Sequence, residues 1–385
     1  MKRGMIPFNK PYTTGKEIDN IKKAITNFHL SGNGPFTKKC QNLLGERYRI
    51  NNCLLTTSCT DALEMASILI NIQPGDEIIV PSFTFVSTAL AFARQGATII
   101  FADSRNDNPC IDENQIEQLI TSKTKAIVPV HYLGFPCEMD RIMQIAEENN
   151  LIIIEDAANA FRSRLKGRLL GTIGHLGCFS FHETKILQCG EGGMLSINDN
   201  RFSERAKIIW EKGTNRTEFQ RGEVQKYEWL DIGSSFLLSD INASFLFSQL
   251  EKAEEIIGHK KLQWELYYSL LENLKNRGLI KLPVISVSVG YNYSGFYLET
   301  RNVSEREYLR KHLLERGIQA VTHYLNLSTS PYILKNQAPL RVGNNENSTR
   351  YENTILRLPF YHSLDEMQIR KITTSIYEFY SCAKN

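Results

Sequence analysis

The sequence predicts an α/β fold, with a mainly parallel β-sheet between two layers of helices and a smaller α+β domain at the C-terminal end. The first two-thirds of the chain alternate short apolar runs with helical patterns, as helix-covered parallel sheets do. The chain has 385 residues, more than one simple core usually holds. The patterning then changes, and we predict a large domain over 1–245 and a small domain over 246–385.

Four apolar segments are predicted as buried strands because each is short and rich in β-branched residues. They are residues 77–80, 97–101, 125–130 and 151–155. The helical patterns between and around them cover residues 60–70, 87–94, 112–121 and 138–149. Ligands of such sheets bind beyond the carboxyl ends of the strands, so polar residues at those ends are the first candidates for a site.

The C-terminal part begins with a long helical pattern from Ser239 to Leu274, interrupted by Gly258. Strands are then predicted near residues 295–300 and 319–323. Helices are predicted near residues 304–316 and 365–380. This mixture predicts the smaller α+β domain.

Charge balance argues against a nucleic-acid-binding protein. The chain carries 45 Lys and Arg against 42 Asp and Glu, for a net charge of +3. Nucleic-acid binders usually carry a basic stripe or patch, and no such pattern is present. We therefore expect no nucleic-acid partner.

The cysteines indicate neither a zinc site nor a disulfide framework. Eight are present, at positions 40, 53, 59, 110, 137, 178, 189 and 382, and none forms a CxxC pair. Reduced thiols and no bound metal are expected, as in an intracellular enzyme.

No targeting or membrane segment is predicted. The N-terminal segment has a basic start without the apolar core of a signal peptide. The apolar runs are far shorter than the ~20 residues that span a bilayer. We expect a cytoplasmic protein without a membrane partner.

Lys185 is the first candidate for chemistry. It ends the segment Gly177-Cys-Phe-Ser-Phe-His-Glu-Thr-Lys185, which is followed by Gly190-Glu-Gly-Gly193. A lysine that binds an aldehyde must lose its proton inside a cleft, and burial and nearby cations favour that loss. Glycines let the backbone approach a ligand closely. Alone, the pattern also fits a surface lysine beside a turn.

Asp156 stands at the carboxyl end of the very apolar strand 151–155. A carboxylate buried there needs a partner, and the pyridinium nitrogen of pyridoxal phosphate would be one. The carboxylate would keep that nitrogen protonated, so that the ring can accept electrons. The alternative is an aspartate that caps the next helix.

Two further segments could bind the phosphate and the ring of such a cofactor. Ser58 and Thr60 precede the helical run that begins at Ala62, and the free N–H groups of that helix can bind a phosphate. A capping box without a ligand is the alternative. Phe85, after strand 77–80, offers a flat surface for a ring, although core packing would also explain it.

The order of these parts is more informative than any one of them. An anion-binding helix start, an aromatic surface, a strand-end acid and a lysine follow one another as in fold-type I pyridoxal-phosphate enzymes. Ser180, five residues before the lysine, could add a hydroxyl to the phosphate site. We therefore predict a pyridoxal-phosphate site with Lys185 as its lysine.

These residues resemble the DegT–DnrJ–StrS family of sugar aminotransferases, and the resemblance runs over nearly the whole chain. The lysine segment with its Gly-Glu-Gly-Gly is its most specific part. The stretches that look shared are 58–60, 81–88, 129–132, 155–158, 178–185, 212–216 and 231–235. The resemblance implies a fold-type I transferase with a sheet of the seven-stranded type. Within the family, the chain looks most like the transaminases that make dTDP-4-amino-4,6-dideoxygalactose.

The resemblance implies a role for each matched residue. Lys185 would bond to the cofactor aldehyde and shuttle protons, Asp156 would pair with the ring nitrogen, and Phe85 would stack on the ring. The implied phosphate ligands are Ser58, Cys59, Thr60 and Ser180, together with Ser235 from the other subunit of a homodimer with shared active sites.

Other positions are expected to bind substrate or to depart from the family. Lys212 and Arg216 are candidates for the nucleotide diphosphate, although a solvated helix end would explain them equally. His323 and Tyr324 are expected on the substrate side. Three positions depart from the family's usual residues: Asn159 replaces a Gln near the ring oxygen, and Ser294 and Ser328 stand where His is common.

The implied reaction is a ping-pong transamination. Glutamate would convert pyridoxal 5'-phosphate to pyridoxamine phosphate, and a nucleotide-linked keto sugar would then accept the amine. The expected substrate is dTDP-4-keto-6-deoxyglucose, giving dTDP-4-amino-4,6-dideoxygalactose for a surface polysaccharide such as lipopolysaccharide. A 3-keto sugar, the opposite stereochemistry, a sugar dehydratase, and a non-catalytic regulatory protein remain alternatives. A nicotinamide oxidoreductase is expected to have a GxGxxG motif near the first strand, and this motif is absent there.

Overall fold

The computed structural model describes residues 4–336 and 343–382. The α-helices are α1 (Glu17–Thr26), α2 (Pro35–Tyr48), α3 (Cys59–Leu69), α4 (Ser87–Ala93), α5 (Ile116–Leu119), α6 (Met139–Glu148), α7 (Ser203–Trp210), α8 (Arg216–Gln220), α9 (Asp240–Glu251), α10 (Ala253–Asn276), α11 (Val303–Glu315), α12 (Pro331–Asn336), α13 (Glu346–Thr354) and α14 (Glu366–Cys382).

The strands fall into three sheets. They are β1 (Cys53–Thr56), β2 (Glu77–Pro81), β3 (Thr98–Ala102), β4 (Thr124–Ile127), β5 (Ile152–Asp156), β6 (Arg164–Leu165), β7 (Arg168–Leu169), β8 (Leu176–Ser180), β9 (Gly193–Ile197), β10 (Val289–Gly290), β11 (Tyr297–Glu299), β12 (Val321–Thr322) and β13 (Ile355–Arg357).

The central sheet has seven strands in the order β1-β9-β8-β5-β4-β2-β3. The pairs from β8 through β5, β4 and β2 to β3 are parallel, and β9 runs antiparallel to both of its neighbours. Its central strands are buried on both faces, as parallel strands between helices must be. The predicted α/β class with a mainly parallel, seven-stranded sheet is confirmed.

The four predicted strands correspond to β2, β3, β4 and β5. The segment predicted at 125–130 forms regular pairing only through Ile127. Beyond it, Val128 donates to Ile79 at 2.8 Å and Val130 forms an isolated bridge with Asp156. The sheet therefore remains in contact with this segment up to the point where polar side chains begin.

Two helix predictions were wrong in detail. The pattern at 112–121 forms a 3₁₀ turn at Glu113–Gln115 and the four-residue α5, because the Asp112 side chain accepts from Asn114 and Ile120 is already extended. The long C-terminal pattern breaks at Lys252, between α9 and α10, and not at Gly258. Gly258 lies inside α10 because a glycine weakens a helix by only about 1 kcal/mol and packing outweighs that cost.

The predicted boundary at residue 245 falls within α9, which packs against α1 and α2. The following helix, α10, packs against α14 of the C-terminal part. Residues near the N-terminus also join that part, since Ile6 forms a parallel bridge with Ile318. One hydrophobic cluster includes residues from both proposed domains. The division at 245 stays a prediction.

The C-terminal part contains the antiparallel sheet β11-β13-β12 with α11, α13 and α14 around it. The predicted strands near 295–300 and 319–323 are β11 and β12, and the predicted helices are α11 and α14. The middle strand of this sheet, β13, was not predicted from the sequence. Its last residue, Arg357, contacts His323 of the candidate site described below.

Seven cysteines are buried and free of disulfides, as expected; the side chain of the eighth, Cys382, lies outside the described residues. No group of three His, Cys, Asp or Glu side chains suited to a metal ion occurs within 4–336 and 343–382. Over the same ranges, no helix combines the length and apolarity needed to cross a bilayer.

Candidate active site

Lys185 lies on the irregular segment between β8 and β9, beyond the end of the central sheet. Its Nζ donates to Oδ1 of Asn159 at 3.0 Å. Burial lowers the pKa of this lysine to about 8; the charge of Arg357 adds to that effect, while Cys59 and Asp156 oppose it. An amine with such a pKa loses its proton near neutral pH, as a lysine that attacks an aldehyde must.

Asp156 is the last residue of β5, and its side chain is buried. Oδ2 accepts from the hydroxyl of Thr88 at 2.7 Å, and Oδ1 accepts from the backbone N–H of Ala158 at 3.1 Å. The segment after Asp156 forms turns, so the helix-cap interpretation does not apply. An ionised carboxylate can accept about four hydrogen bonds, so this one has capacity for a further donor.

Glu155, next to Asp156, has a different role. Its carboxylate is fully buried and accepts from Nε2 of His131 at 2.8 Å. It also accepts from three backbone N–H groups, those of Gly171, Ile173 and Gly174, at 2.6 to 2.8 Å. The protein satisfies this carboxylate completely, so Glu155 anchors the loop before β8.

Helix α3 begins beside the same edge of the sheet. The Ser58 side chain accepts from the N–H of Asp61 at 3.0 Å, so it is the N-cap. The hydroxyl of Thr60 lies 2.7 Å from that of Ser87. The first N–H groups of a helix have no partner within the helix, and they attract an anion such as phosphate.

Glycine at position 193 lets β9 approach this helix start. A Cβ there would lie 2.3 Å from the carbonyl carbon of Ser58 and 2.5 Å from the backbone nitrogen of Cys59. The last glycine of the Gly-Glu-Gly-Gly run is therefore required by a close backbone contact. Ser180, at the end of β8, is nearly buried, and its hydroxyl accepts from the N–H of His182 at 3.3 Å.

Aromatic side chains form one wall of the site. Phe85 is 56% exposed, so it is available to a ligand ring and is not core packing, unlike buried Phe83 nearby. The ring of Tyr324 lies 6.1 Å from that of Phe85. Burial raises the pKa of Tyr324 to about 12, and Asp156 and the amide of Asn159 are among its neighbours. Tyr324 thus connects the C-terminal part with the residues around Lys185.

His323 is held by protein groups at both ring nitrogens. Nδ1 lies 2.6 Å from the hydroxyl of Tyr132, and Nε2 lies 3.0 Å from Nη1 of Arg357. Its ring stacks on Tyr324 with centroids 3.7 Å apart. Burial, with the charges of Arg357 and Lys185, lowers the pKa of His323 well below its usual range, so the ring is neutral.

Lys212, Arg216 and Ser235 line one cavity of about 370 Å³, which also borders Thr57. All three are exposed, and Arg216 begins α8. Glu191 and Glu211 line it too, so the cavity combines two cations with two acids. The structure therefore places these three predicted residues together, beside the segment that precedes Ser58.

The positions that depart from the resemblance have defined contacts. Asn159 bonds to Lys185, so the shorter amide still reaches the site. The hydroxyl of Ser294 donates to the carbonyl of Leu133 at 2.6 Å. Ser328 is buried and donates to Oδ1 of Asn326 at 2.7 Å. Both serines stabilise loops of the protein.

Two residues of this candidate site, Thr88 and Arg357, were not predicted from the sequence. Thr88 belongs to a stretch that was singled out, but nothing in the sequence showed that its hydroxyl meets Asp156. Arg357 had a visible signal, because it is a lone charge in the apolar run Ile355-Leu-Arg-Leu-Pro359.

These residues fit pyridoxal phosphate. Lys185 has a desolvated amine with a single hydrogen bond, Asp156 has unused acceptor capacity, and Phe85 offers an exposed ring. The start of α3 supplies N–H groups for the phosphate.

The profile of the DegT/DnrJ/EryC1/StrS aminotransferase family matches residues 11–377. The GDP-perosamine synthase of Escherichia coli O157:H7 is 32% identical over 377 residues, covering 98% of this chain and 99% of that protein. The spore coat polysaccharide biosynthesis protein SpsC of Bacillus subtilis is 27% identical and covers 96% of both chains. The crystal structure of DesV of S. venezuelae has a TM-score of 0.86 and 28% identity, covering 97% of this chain and 98% of that one.

Proposed function

This chain belongs to the DegT/DnrJ/EryC1/StrS aminotransferase family and is a pyridoxal-phosphate-dependent sugar aminotransferase; from that premise we propose that it moves an amino group from glutamate to a nucleotide-linked keto sugar. The observation that carries the proposal is the amine of Lys185, which has a pKa lowered to about 8. It shares a site with the buried carboxylate of Asp156 and the exposed ring of Phe85.

The residues of the chain divide the work between binding and proton transfer. When bound, pyridoxal phosphate supplies a ring that takes up the electron pair of the breaking Cα–H bond. Asp156 would pair with the ring nitrogen from the end of β5, where Thr88 and the N–H of Ala158 fix the orientation of its carboxyl group. Phe85 provides the stacking surface.

Lys185 is the proton carrier in this proposal. Its Nζ takes the proton from the Cα of the donor and returns it on the product side, and the sugar half-reaction runs the same steps in reverse. The hydrogen bond from Nζ to Asn159 keeps the amine within the site. Burial lowers the pKa of the amine to about 8, so a fraction of it is uncharged near neutral pH and can accept a proton.

The sugar substrate is a finer part of the proposal. We propose a 4-keto-6-deoxy sugar, with dTDP-4-keto-6-deoxyglucose giving dTDP-4-amino-4,6-dideoxygalactose as the first candidate pair. The name of the Escherichia coli relative, a GDP-perosamine synthase, supports GDP as an alternative nucleotide. Lys212 and Arg216 would bind the diphosphate in either case. The name of SpsC supports a role in making a surface polysaccharide.

A panel of nucleotide keto sugars, each offered with glutamate, separates these substrates. Turnover of the dTDP-linked 4-keto sugar with the predicted product stereochemistry supports the first candidate. Turnover of only a GDP-linked or a 3-keto sugar would exclude the first candidate substrate but would still support a transaminase reaction.

We also propose a homodimer, in which Ser235 reaches the phosphate site of the partner. Ser235 is exposed, and a group of apolar side chains in and near its segment is exposed as well. Trp229 is 83% exposed and Ile232 57%, whereas large apolar side chains usually contact something.

The Lys185→Ala variant tests the reaction itself. The wild-type holoenzyme should show a visible absorption band that borohydride removes. The variant should lack that band and all turnover while its circular dichroism is unchanged. Turnover in the variant at the wild-type rate would exclude the mechanism.

A further inference from the structure

Arg357 is a cation in an otherwise apolar strand. It ends β13, between β11 and β12, and its neighbours Leu356 and Leu358 are fully buried. Its guanidinium lies over the ring of Phe8, with 4.9 Å from Cζ to the ring centroid. Glycine at position 295 leaves room for it, because a Cβ there would lie 3.1 Å from Nη2. Such a costly placement for a charge requires an explanation.

The charge of Arg357 has no partner of opposite sign in the part of the chain that the structure describes, and its Nε is buried without a hydrogen bond. Arg350 is the matched contrast in the same sheet region. Its Nε is also buried and unbonded, but its Nη1 forms an ion pair with Glu299. The contacts of the Arg357 guanidinium are instead with neutral groups, the rings of His323 and Phe8. A half-buried charge of this kind is stabilised when a complementary ion binds.

The contact with His323 fixes the direction of the guanidinium. Nη1 of Arg357 is a donor, so Nε2 of His323 must accept, and the ring proton is on Nδ1, facing the hydroxyl of Tyr132. The ring of His323 is locked further by its stacking on Tyr324. His323 therefore positions Arg357 and has no ring nitrogen left for substrate.

A continuous set of contacts leads from Arg357 to the reacting lysine. Arg357 bonds to His323, which stacks on Tyr324. Tyr324 interacts with Asn159, and Asn159 bonds to Nζ of Lys185. Arg357 is also near enough to Lys185 to affect its titration. A guanidinium without an acidic partner thus lies near Lys185, where the donor must react.

We propose that Arg357 binds a carboxylate of the amino-acid donor. This inference rests on the proposed function, since it concerns the donor half of that reaction. A guanidinium presents two parallel N–H groups that match a carboxylate, and the pairing is strong where water is excluded. The diphosphate of the sugar has a separate candidate site in the cavity with Lys212 and Arg216. The two half-reactions therefore use different cations.

Single-turnover measurements of the two half-reactions test the proposal. In Arg357→Gln, the rate with limiting L-glutamate should fall about 100-fold, because a charge-assisted pair is lost. The reaction of the amine-loaded enzyme with the keto sugar should change less than about 3-fold, since the sugar carries no carboxylate. Arg357→Lys keeps the positive charge but not the planar guanidinium, so its single-turnover rate with limiting glutamate should fall about 10-fold.

Calorimetry with succinate gives a readout that does not depend on turnover. Succinate is a dicarboxylate without an amine, so it should bind the wild-type holoenzyme and lose about 100-fold in affinity in Arg357→Gln. Arg370→Gln is the matched control, because Arg370 is exposed on α14 and forms an ion pair with Glu366 on its own helix. The control should behave as wild type in every assay.

The outcomes separate this inference from the proposed function. Unchanged glutamate and succinate binding in Arg357→Gln, with a folded chain, would overturn the role of Arg357 alone. A larger loss with the sugar than with glutamate would assign Arg357 to the sugar nucleotide, which also overturns it. If the wild-type holoenzyme performs neither half-reaction, the proposed function fails.

Discussion

At the residue scale, the end of β5 holds two adjacent carboxylates with opposite roles. Glu155 is satisfied by His131 and three backbone N–H groups. Asp156 receives only the Thr88 hydroxyl and one N–H, and it shares a site with Lys185. Alternation along the strand sends the first side chain into the loop before β8 and the second toward the site.

The same amide substitution at both positions should therefore have different effects. Asp156→Asn should reduce turnover by about 100-fold with little loss of stability, because a positioned charge is removed from the site. Glu155→Gln should lower the free energy of unfolding by about 2 to 4 kcal/mol, because its amide group opposes backbone donors. Denaturant unfolding and steady-state rates on both variants measure this. An equal loss of stability in the two variants would contradict the division of roles.

The titration of Lys185 gives a second prediction at this scale. The free amine is the reactive form, so its modification by an amine-directed reagent should increase as the pH rises through about 8 and then level off. Peptide mapping of the cofactor-free protein by mass spectrometry measures the rate at this position. In Arg357→Gln the midpoint should move to higher pH, because a nearby positive charge is lost. A midpoint near 10.5 in the wild type would show that the amine is not desolvated.

At the element scale, the start of α3 and the strand β9 meet through Gly193, and the distances there leave no space for a side chain. Gly258 is the opposite case, because a Cβ at that position in α10 would meet nothing within 4 Å. A close backbone contact thus requires glycine at position 193, whereas no contact requires it at position 258.

Alanine at these two positions should act in opposite directions. Gly193→Ala should displace the start of α3 and weaken binding of the cofactor phosphate about 10-fold or more, measured by equilibrium dialysis with pyridoxal phosphate. Gly258→Ala should raise the free energy of unfolding by about 0.5 to 1 kcal/mol, because alanine favours the helix and loses less entropy. Unchanged cofactor affinity in Gly193→Ala would show that phosphate binding does not depend on the close contact between β9 and the start of α3.

At the scale of the whole molecule, two short segments each carry more than one strongly exposed apolar side chain. Phe28 is 95% exposed and Leu30 45%, while Trp229, Leu230 and Ile232 are each more than half exposed. The second segment directly precedes Ser235, which the proposed dimer brings to a partner's site. If the dimer interface buries this surface, catalysis would depend on dimer formation.

Trp229→Asp should therefore weaken the dimer and reduce cofactor affinity together. Sedimentation equilibrium at several concentrations measures the first effect, and equilibrium dialysis the second. Met367→Asp is the control, because Met367 is 80% exposed on α14 of the C-terminal part. A monomeric wild type, or a Trp229→Asp variant that assembles normally, would remove the proposed dimer.

The sequence by itself determined the four predicted sheet strands, and it indicated Lys185, Asp156 and the helix start at Ser58 as candidates for the cofactor site. Local patterns specify these features, because β-branched runs form buried strands and a helix start exposes its N–H groups wherever it lies. The same local reading failed at Gly258, where the packing of a long helix outweighed the preference of one residue. It also missed β13, a three-residue strand too short for a periodic signal.

Only the tertiary structure decided which residues meet across long stretches of chain. Thr88 reaches Asp156 across 68 positions, and Arg357 reaches His323 across 34. It also showed that Phe85 is exposed while Phe83 is buried. Such pairings depend on how strands and helices pack in three dimensions, and no local preference encodes them. The pattern of the chain therefore determined the kind of chemistry, and packing decided which side chains surround it.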